Sequence, residues 1–343
     1  MTDLRAAFRS QAEACESLGS PFMGQLCRLL AERLEPGTAL TDRLFAWQGD
    51  LTPAGESVPL RLCGALHALK LEGCAVLGPV YPPAQVSDDA LWAAVDEALI
   101  IHEAQVMRFI DSAPQTNEVR RSVALIAAGH WLTARYDLPI ITRELGASGG
   151  LNLHWDHYAV DTTGPRLGAP DPVLTLTPEW RGGVPTGPAP RVVDRRGVDL
   201  NPLDATDPAD AQRLTAYLWP DQPARLALTR AAIGDIEHRE VDRGDAVTWL
   251  AGQIAPRPGH LRMIYSTIAW QYFPADKQAE GLALIEAEGA RATEDSPLAF
   301  VQMENDKTPP GAALTVRLWP GDGVPVPLAR VDFHGRWIDW SAS

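Results

Sequence analysis

The sequence predicts an α/β protein, in which a mostly parallel sheet ends in an antiparallel hairpin and follows an all-α N-terminal domain. Three observations lead to this fold class. Residues 1–113 have helical periodicity, short apolar runs alternate with helical segments after about residue 138, and only "PGDGVP" joins the last two strand candidates. Alternating strands and helices are typical of a parallel sheet covered by helices, whereas so short a connection allows only an antiparallel hairpin.

The segment 1–113 is predicted to be a separate helical domain. Its clearest helix lies in "VSDDALWAAVDEALIIHEAQVMRFIDSA", where Ser87 is the expected N-cap, two aspartates follow, and apolar side chains recur at helical spacing as far as Phe109. His102 lies on this apolar stripe, and we interpret it as a histidine at the edge of the core. "SAPQT" then breaks the pattern, so the boundary is placed after residue 113.

The α/β domain, residues 114–343, is predicted to start with a helix in "NEVRRSVALIAAGHWLTARY". The strand candidates are "LPIITREL" (138–145), "GVDL" (197–200), "IEHREV" (236–241), "LRMIYS" (261–266), "PLAFVQM" (297–303), "ALTVRLW" (313–319) and "VPLARVDF" (326–333). Helical stretches separate most of the first five candidates. Within the region of about 160–190, residues 164–190 hold 12 Gly and Pro in 27 positions, which indicates an inserted loop or hairpin.

The bulk properties favour a small-molecule partner. A net charge of −14 repels phosphates, so nucleic-acid binding is not expected. The N-terminal "MTDLRAAFRSQAEACESLG" has no apolar core of a secretory signal, and "SVALIAAGHWL" is too short to span a bilayer. We therefore expect a cytoplasmic protein with no membrane partner, whose four cysteines are reduced thiols.

A glycine-rich turn, "ELGASGGLNL" (144–153), directly follows the first strand candidate. The dinucleotide fingerprint requires glycine at the first, third and sixth positions, which here hold Gly146, Ser148 and Leu151. Class I S-adenosylmethionine (SAM) methyltransferases have an acid followed by glycines at alternate positions. Glu144, Gly146 and Gly150 satisfy that pattern and Ser148 departs from it, so the turn favours SAM over NAD.

Each residue of the turn has an expected role. Gly146 and Gly150 would let the chain bend beside the methionine part of the cofactor, where a Cβ would collide. Glu144 would accept hydrogen bonds from an amino group or hold the loop, and Ser148 would narrow the space or add a hydroxyl contact. The alternative is a glycine turn that serves only tight strand-to-helix packing.

Two later acids extend the motif. In "RRGVDLNPLD", Asp199 ends the second strand candidate, where a carboxylate accepts both ribose hydroxyls; in "REVDRGDAVTWL", Asp245 follows the third, where an acid receives the adenine amino group. Taken singly, each acid is more often a helix cap or a solvated charge. The order Glu144, Asp199, Asp245, each after a separate strand candidate, is the stronger signal.

Five segments together carry a family resemblance: "ELGASGGLNLHWDHY", "RRGVDLNPLD", "LTAYLWPDQPARL", "RGDAVTWL" and "FHGRWIDW". They resemble a bacterial family of unknown function, number 2332, over nearly the whole chain. The resemblance implies a class I methyltransferase-like (Rossmann-like) fold, and it brings no assigned reaction.

Candidate substrate-pocket and catalytic residues follow the fourth and fifth strand candidates. Trp270, Gln271 and Tyr272 in "STIAWQYFP" would shape an acceptor pocket, with aromatic faces favouring the sulfonium; core packing is the alternative for Trp270. Glu304 and His154 are candidate bases, needed only if the acceptor atom carries a proton.

"PQTNE" (114–118) lies between the helical region and the sheet. Its position would let Gln115, Asn117 and Glu118 reach the site. Helix capping explains Asn117 and Glu118 equally well.

"HWDH" suggests a metal site, since His154 and His157 are three residues apart and would share a helix face, with Asp156 pointing elsewhere. A third ligand with convincing spacing is missing, so no metal is assigned and helix packing is favoured.

The leading hypothesis is SAM-dependent methyl transfer to an unknown small molecule, with the helical domain as a lid or acceptor-side wall. An alternative is a non-catalytic ligand-binding or interaction protein that retains the methyltransferase fold. A third is a metal-dependent hydrolase that uses His154 and His157.

Overall fold

The computed structural model describes residues 3–53 and 55–342, which form two compact units. One unit consists of the chain up to Thr116 together with Pro208–Ala227; the other consists of Asn117–Asp207 and the chain from Leu228 onwards. The sequence predicts that residues 208–227 lie in the α/β domain, but this segment belongs to the helical unit. Its Tyr217 ring lies so close to Gly64 that an added Cβ there would be 2.6 Å from the ring, a contact between residues remote in sequence.

The helices account for most of the first unit and for the crossovers of the second. They are α1 (Leu4–Ser17), α2 (Pro21–Arg33), α3 (Ala39–Phe45), α4 (Val58–Leu71), α5 (Asp88–Ile101), α6 (Glu103–Phe109), α7 (Ser122–Tyr136), α8 (Pro208–Ala216), α9 (Pro223–Gly234), α10 (Ala246–Leu250) and α11 (Ala275–Gly289). Ser87 caps α5 by accepting a hydrogen bond from Ala90 N, as predicted. The helix expected to run on to Phe109 instead breaks at His102, which is partly buried.

Apolar side chains of α1, α2 and α4 form the centre of the helical unit. Phe8, Leu26 and Leu62 are fully buried there. Cys15, Cys27 and Cys63 are buried in the same cluster, and all four cysteines of the chain are free thiols.

The second unit is built on strands. They are β1 (Ile140–Leu145), β2 (Tyr158–Val160), β3 (Leu167–Gly168), β4 (Leu174–Leu176), β5 (Glu179–Gly182), β6 (Val192–Asp199), β7 (Val241–Arg243), β8 (Leu261–Thr267), β9 (Leu298–Glu304), β10 (Ala312–Trp319), β11 (Val326–Val331) and β12 (Trp337–Trp340). The large sheet has the order β5-β12-β11-β10-β9-β8-β1-β6-β7, and β3-β2-β4 form a small one.

Five neighbouring strands of the large sheet, β7-β6-β1-β8-β9, run parallel. The next two, β10 and β11, form an antiparallel hairpin. The predictions of a mostly parallel α/β sheet, of N-terminal helices and of the C-terminal hairpin are confirmed.

Three local predictions were wrong. The third strand starts at Val241, so most of 236–241 is loop; the chain after the glycine turn forms a 3₁₀ helix, Leu151–His157, instead of an α-helix. "FHGRWIDW", which is not among the strand candidates, contains β12, which pairs with β11 and with β5 from the inserted region. Four residues are too few for a period-two pattern, so pairing with its neighbours decides this strand.

The apolar character of α7 comes from burial inside the second unit, where Val123 to Leu132 are almost inaccessible to solvent. Within residues 3–53 and 55–342, no helix combines the length and apolar character needed to cross a bilayer.

A substitution at Phe300 tests how much the hydrophobic core beneath the sheet contributes to stability. Phe300 is 1% exposed and meets Trp270 edge-on, with ring centroids 5.3 Å apart. We expect Phe300→Ala to lower the free energy of unfolding by about 3–5 kcal/mol, because it leaves a cavity. Val324→Ala, at a 57% exposed position, should change it by less than about 0.5 kcal/mol. Urea unfolding checks both, and equal effects would contradict this account of the core.

Candidate functional site

The strand order reverses between β1 and β8. The chain passes from β1 outward to β6 and β7, then returns to place β8 and β9 on the other side of β1. In open parallel sheets, ligands bind outside the carboxyl ends of the strands at such a point. The glycine turn follows β1, Asp199 is the last residue of β6, and Asp245 follows β7, so three predicted cofactor segments lie at the ends of adjacent strands.

Two glycines of the turn have the left-handed backbone that favours glycine. Gly146 and Gly150 both have φ of 77°. A Cβ on Gly146 would lie 2.5 Å from Ala269 Cβ, and one on Gly150 would lie 2.9 Å from Val241 Cγ2. Close packing by neighbouring chain segments is therefore enough to require both glycines.

The first amides of the turn bind the adjacent strand. Gly146 N and Ala147 N both donate to the carbonyl oxygen of Val198, at 2.9 and 3.0 Å. These two donors are consequently engaged inside the protein, and they tie the turn to the end of β6.

The carboxylate of Asp199 completes this attachment. Its Oδ2 accepts a hydrogen bond from Ser148 N, and its Oδ1 accepts one from Asn201 N, both at 2.9 Å. A carboxylate offers about four acceptor sites, so Asp199 shapes the turn and keeps capacity for ligand hydroxyls.

Two non-glycine residues, one on each side of the point where the strand order reverses, have a left-handed backbone conformation. Ser148, after β1, and Ile268, after β8, both have φ of 53°. This conformation is unusual for serine and a genuine outlier for a β-branched residue. Ser148 is 8% exposed, and its Oγ is buried without a hydrogen-bond partner among the described residues. Such strained and unsatisfied positions are concentrated at functional sites.

Glu144 is an interior residue. It is 1% exposed, and Tyr265 Oη lies 3.5 Å from its Oε2 while donating to Asn152 O at 3.0 Å. Burial raises the pKa of Glu144 well above its usual range, and the charge of Asp199 adds to the effect. The side-chain contact of Glu144 is thus with Tyr265 of β8.

Asp245 is the N-cap of α10. Its Oδ1 accepts hydrogen bonds from Thr248 N at 2.9 Å and Thr248 Oγ1 at 2.8 Å, and these bonds lower the pKa of Asp245. In the part of the chain that the structure describes, no hydrogen bond engages Oδ2. The cap and the predicted ligand contact are thus compatible, because they use different oxygens.

Glu304, a candidate base, fixes the wall that follows β8. Its Oε1 accepts hydrogen bonds from Ala269 N, Trp270 N and Ser266 Oγ, and its Oε2 accepts one from Gln271 N, at 2.9–3.3 Å. Burial raises the pKa of Glu304, while these hydrogen bonds favour the charged form. The donors that a ligand anion would use at this turn are already bound.

The three pocket candidates on this wall differ in their surroundings. Trp270 is 8% exposed and packs in the core with Phe273 and Phe300, so the core-packing interpretation applies to its ring. Gln271 Oε1 accepts a hydrogen bond from Asn305 N at 2.8 Å. Tyr272 is 73% exposed and is the aromatic side chain most accessible to a ligand among the three.

"PQTNE" reaches the exit of the glycine turn. Asn117 Oδ1 accepts a hydrogen bond from Leu151 N at 2.8 Å, and Glu118 O accepts one from Asn152 Nδ2 at 3.3 Å. The side chain of Glu118 is buried and caps the 3₁₀ helix Val119–Arg121. Gln115 belongs to the helical unit.

The structure supplies the third group that "HWDH" lacked. Asp235 Oδ2 lies 2.9 Å from His154 Nδ1 and 2.7 Å from His157 Nδ1, and Glu240 Oε2 lies 2.8 Å from His154 Nε2. The segment Leu151–His157 is kinked at His154, and the two imidazoles meet with ring centroids 5.1 Å apart. Asp235 and Glu240 are 78 to 86 residues away, so no local spacing could reveal them. As a candidate base, His154 has both ring nitrogens facing carboxylates.

Comparison with known proteins gives one match. A family model described as "Uncharacterized protein conserved in bacteria (DUF2332)" matches residues 5–340. No curated protein and no solved structure matches.

Substitutions at Gly146 can separate two contributions to stability: the cost of a left-handed backbone and the contact with Ala269. Gly146→Ala should lower the free energy of unfolding by more than the 1–2 kcal/mol, roughly, of a left-handed alanine, because its Cβ also meets Ala269. Gly259→Ala is the control, since φ is 72° there and no atom lies within 4 Å of an added Cβ. Adding Ala269→Gly to the Gly146→Ala variant should restore only the part of the lost stability that comes from the contact with Ala269. A double-mutant cycle from urea unfolding measures this, and zero coupling would refute the contact.

Glu144→Gln tests the buried carboxyl. Because the pKa of Glu144 is raised in the folded state, its stabilising contribution is complete below the ordinary value of 4.5 and is lost as pH rises through the raised value. The variant lacks this loss, so its stability relative to the wild type should increase with pH. Unfolding free energies between about pH 4.5 and pH 8 check this. Glu286→Gln, on the exposed face of α11, is the control; a parallel pH profile for Glu144→Gln would contradict the assignment.

Proposed function

The chain belongs to a family of uncharacterized proteins conserved in bacteria, and from its site geometry we propose that it is a SAM-dependent methyltransferase acting on a small molecule. One observation carries the proposal. The parallel neighbours β1, β6 and β7 end in the glycine turn, Asp199 and Asp245, respectively. Their order matches the methionine, ribose and adenine parts of an extended adenosyl cofactor.

The side chains that remain available support this assignment. Ser148 Oγ is buried and without a hydrogen-bond partner among the described residues, so a polar group of the methionine part would satisfy it. Asp199 keeps acceptor capacity for ribose hydroxyls. Asp245 Oδ2 would accept from the adenine amino group while Oδ1 keeps its capping bonds.

Bound SAM would supply an electrophilic methyl group on a sulfonium. Transfer of that methyl group to an acceptor atom is the chemistry that the bound cofactor would supply. The protein contributes mainly by positioning. The wall after β8, held by Glu304, would orient the acceptor, and the exposed ring of Tyr272 would favour the cationic sulfonium.

A second candidate function is ligand binding without catalysis. It would use the same crevice, the space at the carboxyl ends of β1, β6 and β7. Ala269 packs directly against Gly146, which narrows the space beside the turn and favours a ligand-binding protein that retains the fold. Binding and turnover distinguish the two functions.

Calorimetric titration with SAM and S-adenosylhomocysteine tests the proposal, with Asp245→Asn as the informative variant. Asparagine caps helices as well as aspartate, so the thermal midpoint should be nearly unchanged. Its amide nitrogen would replace the oxygen facing adenine, so affinity should fall about tenfold, the equivalent of one hydrogen bond of about 1.4 kcal/mol. Asp276→Asn, in the first turn of α11, should bind like the wild type.

Two results decide between the functions. No heat and no thermal shift at millimolar SAM would overturn both uses of the crevice for an adenosyl ligand. Binding without S-adenosylhomocysteine formation, when the protein is given small-molecule fractions of bacterial extract, would favour the non-catalytic candidate.

A further inference from the structure

The polar cluster around His154 and His157 uses side chains to which the proposed methyl transfer gives no role, although its Glu240 lines a small pocket together with Gly149 and Gly150. The two imidazoles meet edge to face, with ring centroids 5.1 Å apart and an interplanar angle of 87°. Both Nδ1 atoms face Oδ2 of Asp235, and the three ligand atoms lie within 4.8 Å of one another. From this geometry we infer that His154, His157 and Asp235 bind a divalent transition-metal ion such as Zn²⁺.

The surroundings of His154 are those of a metal ligand. Its second ring nitrogen, Nε2, lies 2.8 Å from Oε2 of Glu240. Metal-ligating histidines commonly donate their other N–H to a carboxylate, which fixes the tautomer and makes the ligating nitrogen more basic. Glu240 would hold the proton of His154 on Nε2 and leave the lone pair of Nδ1 for the metal.

The donor count of His154 leaves a place for a cation. A neutral imidazole has one donor and one acceptor nitrogen, yet both nitrogens of His154 face carboxylate oxygens. One of these contacts therefore needs a second proton on the ring, a proton on the carboxyl group, or a cation at Nδ1. A metal ion between Nδ1 and Asp235 satisfies both sides.

The charge balance leads to the same conclusion. Asp156, Asp235 and Glu240 are at most 15% exposed in their side chains. The guanidinium that contacts this group belongs to Arg195, which pairs with Asp156 at 3.0 Å. His238 Nε2, 3.5 Å from Oε1 of Glu240, is 75% exposed. A divalent cation would neutralise the charge of Asp235 and Glu240, whose contacts are with imidazoles, because buried carboxylates are costly unless their charge is paired.

Arg195 also contacts His157, and this contact must change when metal binds. Its NH1 lies 3.2 Å from His157 Nε2, whereas ligation through Nδ1 leaves a proton on Nε2. The guanidinium retains its bond to Asp156 Oδ2, so it has a partner when the imidazole exchanges its proton.

The ligand set and its exposure define the ion. Two imidazole nitrogens and one carboxylate oxygen suit Zn²⁺, Fe²⁺ or Co²⁺, whereas Ca²⁺ and Mg²⁺ prefer oxygen ligands. The side chains of His154 and Asp235 are 8% and 15% exposed, but that of His157 is 39% exposed. Solvent therefore reaches the site past His157, which provides an entry path for the ion.

The test uses tag-free full-length protein, stripped with a chelator and titrated with Co²⁺ and Zn²⁺. We expect about one equivalent to bind, with Co²⁺ giving visible absorption bands of a low-coordinate N/O site. His157→Ala and Asp235→Asn should each weaken Zn²⁺ binding about a hundredfold or more. His260→Ala, whose Nδ1 contacts the carbonyl oxygen of Pro258 outside this cluster, should bind within about twofold of the wild type.

The thermal midpoints of the metal-free variants show whether each one folds. His157 is half-exposed, so His157→Ala decides the question if Asp235→Asn proves unstable. Failure of the stripped wild type to bind Co²⁺ or Zn²⁺ at micromolar concentration would overturn the inference, as would His157→Ala binding as tightly as the wild type.

Discussion

The close approach of Gly146 to Ala269 sets the geometry of the carboxyl edge of the sheet. These residues follow β1 and β8, the two strands between which the strand order reverses, and a side chain on Gly146 would collide with the methyl group of Ala269. The backbone contacts of the turn are made beside this approach. With Gly146 in place, the amides of Gly146 and Ala147 reach Val198 O, and Ser148 N reaches Asp199. The crevice is thus built from backbone positions before any ligand group is considered.

Buried and half-buried carboxylates then fix the walls. Glu144 lies in the interior beneath the turn, Asp199 holds the turn from β6, and Glu304 holds the segment after β8 through backbone amides. These acids occupy positions where ligand-binding acids are expected, yet much of their hydrogen-bonding capacity is used internally. Burying a carboxylate is costly unless it is hydrogen-bonded. The internal hydrogen-bond donors therefore help to explain why these acids lie where they do. Ser148 differs from these acids: its left-handed backbone is held by Asp199, but its Oγ is buried without a hydrogen-bond partner among the described residues.

The 3₁₀ helix Leu151–His157 links the crevice to the proposed metal site. Its first residue is held by Asn117 at the exit of the glycine turn, and its last turn presents His154 and His157 to Asp235. A metal ion there would tie this helix to the loop before β7, which is one of the strands that end at the crevice. Metal binding would thereby be coupled to the conformation of the glycine turn through the seven residues of this helix.

The sequence by itself determined the class of the fold, the capping of α5 by Ser87 and the strands β1, β8, β9, β10 and β11 to within about two residues. These features follow from local apolar periodicity and short connections, which a single stretch of chain contains. Tertiary structure alone decided the start of β7, the pairing of β12, the burial of Trp270 and the membership of 208–227 in the helical unit. It also decided which oxygens of Asp199 and Asp245 are engaged, and it brought Asp235 to the two histidines. Most of these outcomes rest on contacts between residues tens of positions apart, so no local pattern of residues encodes them.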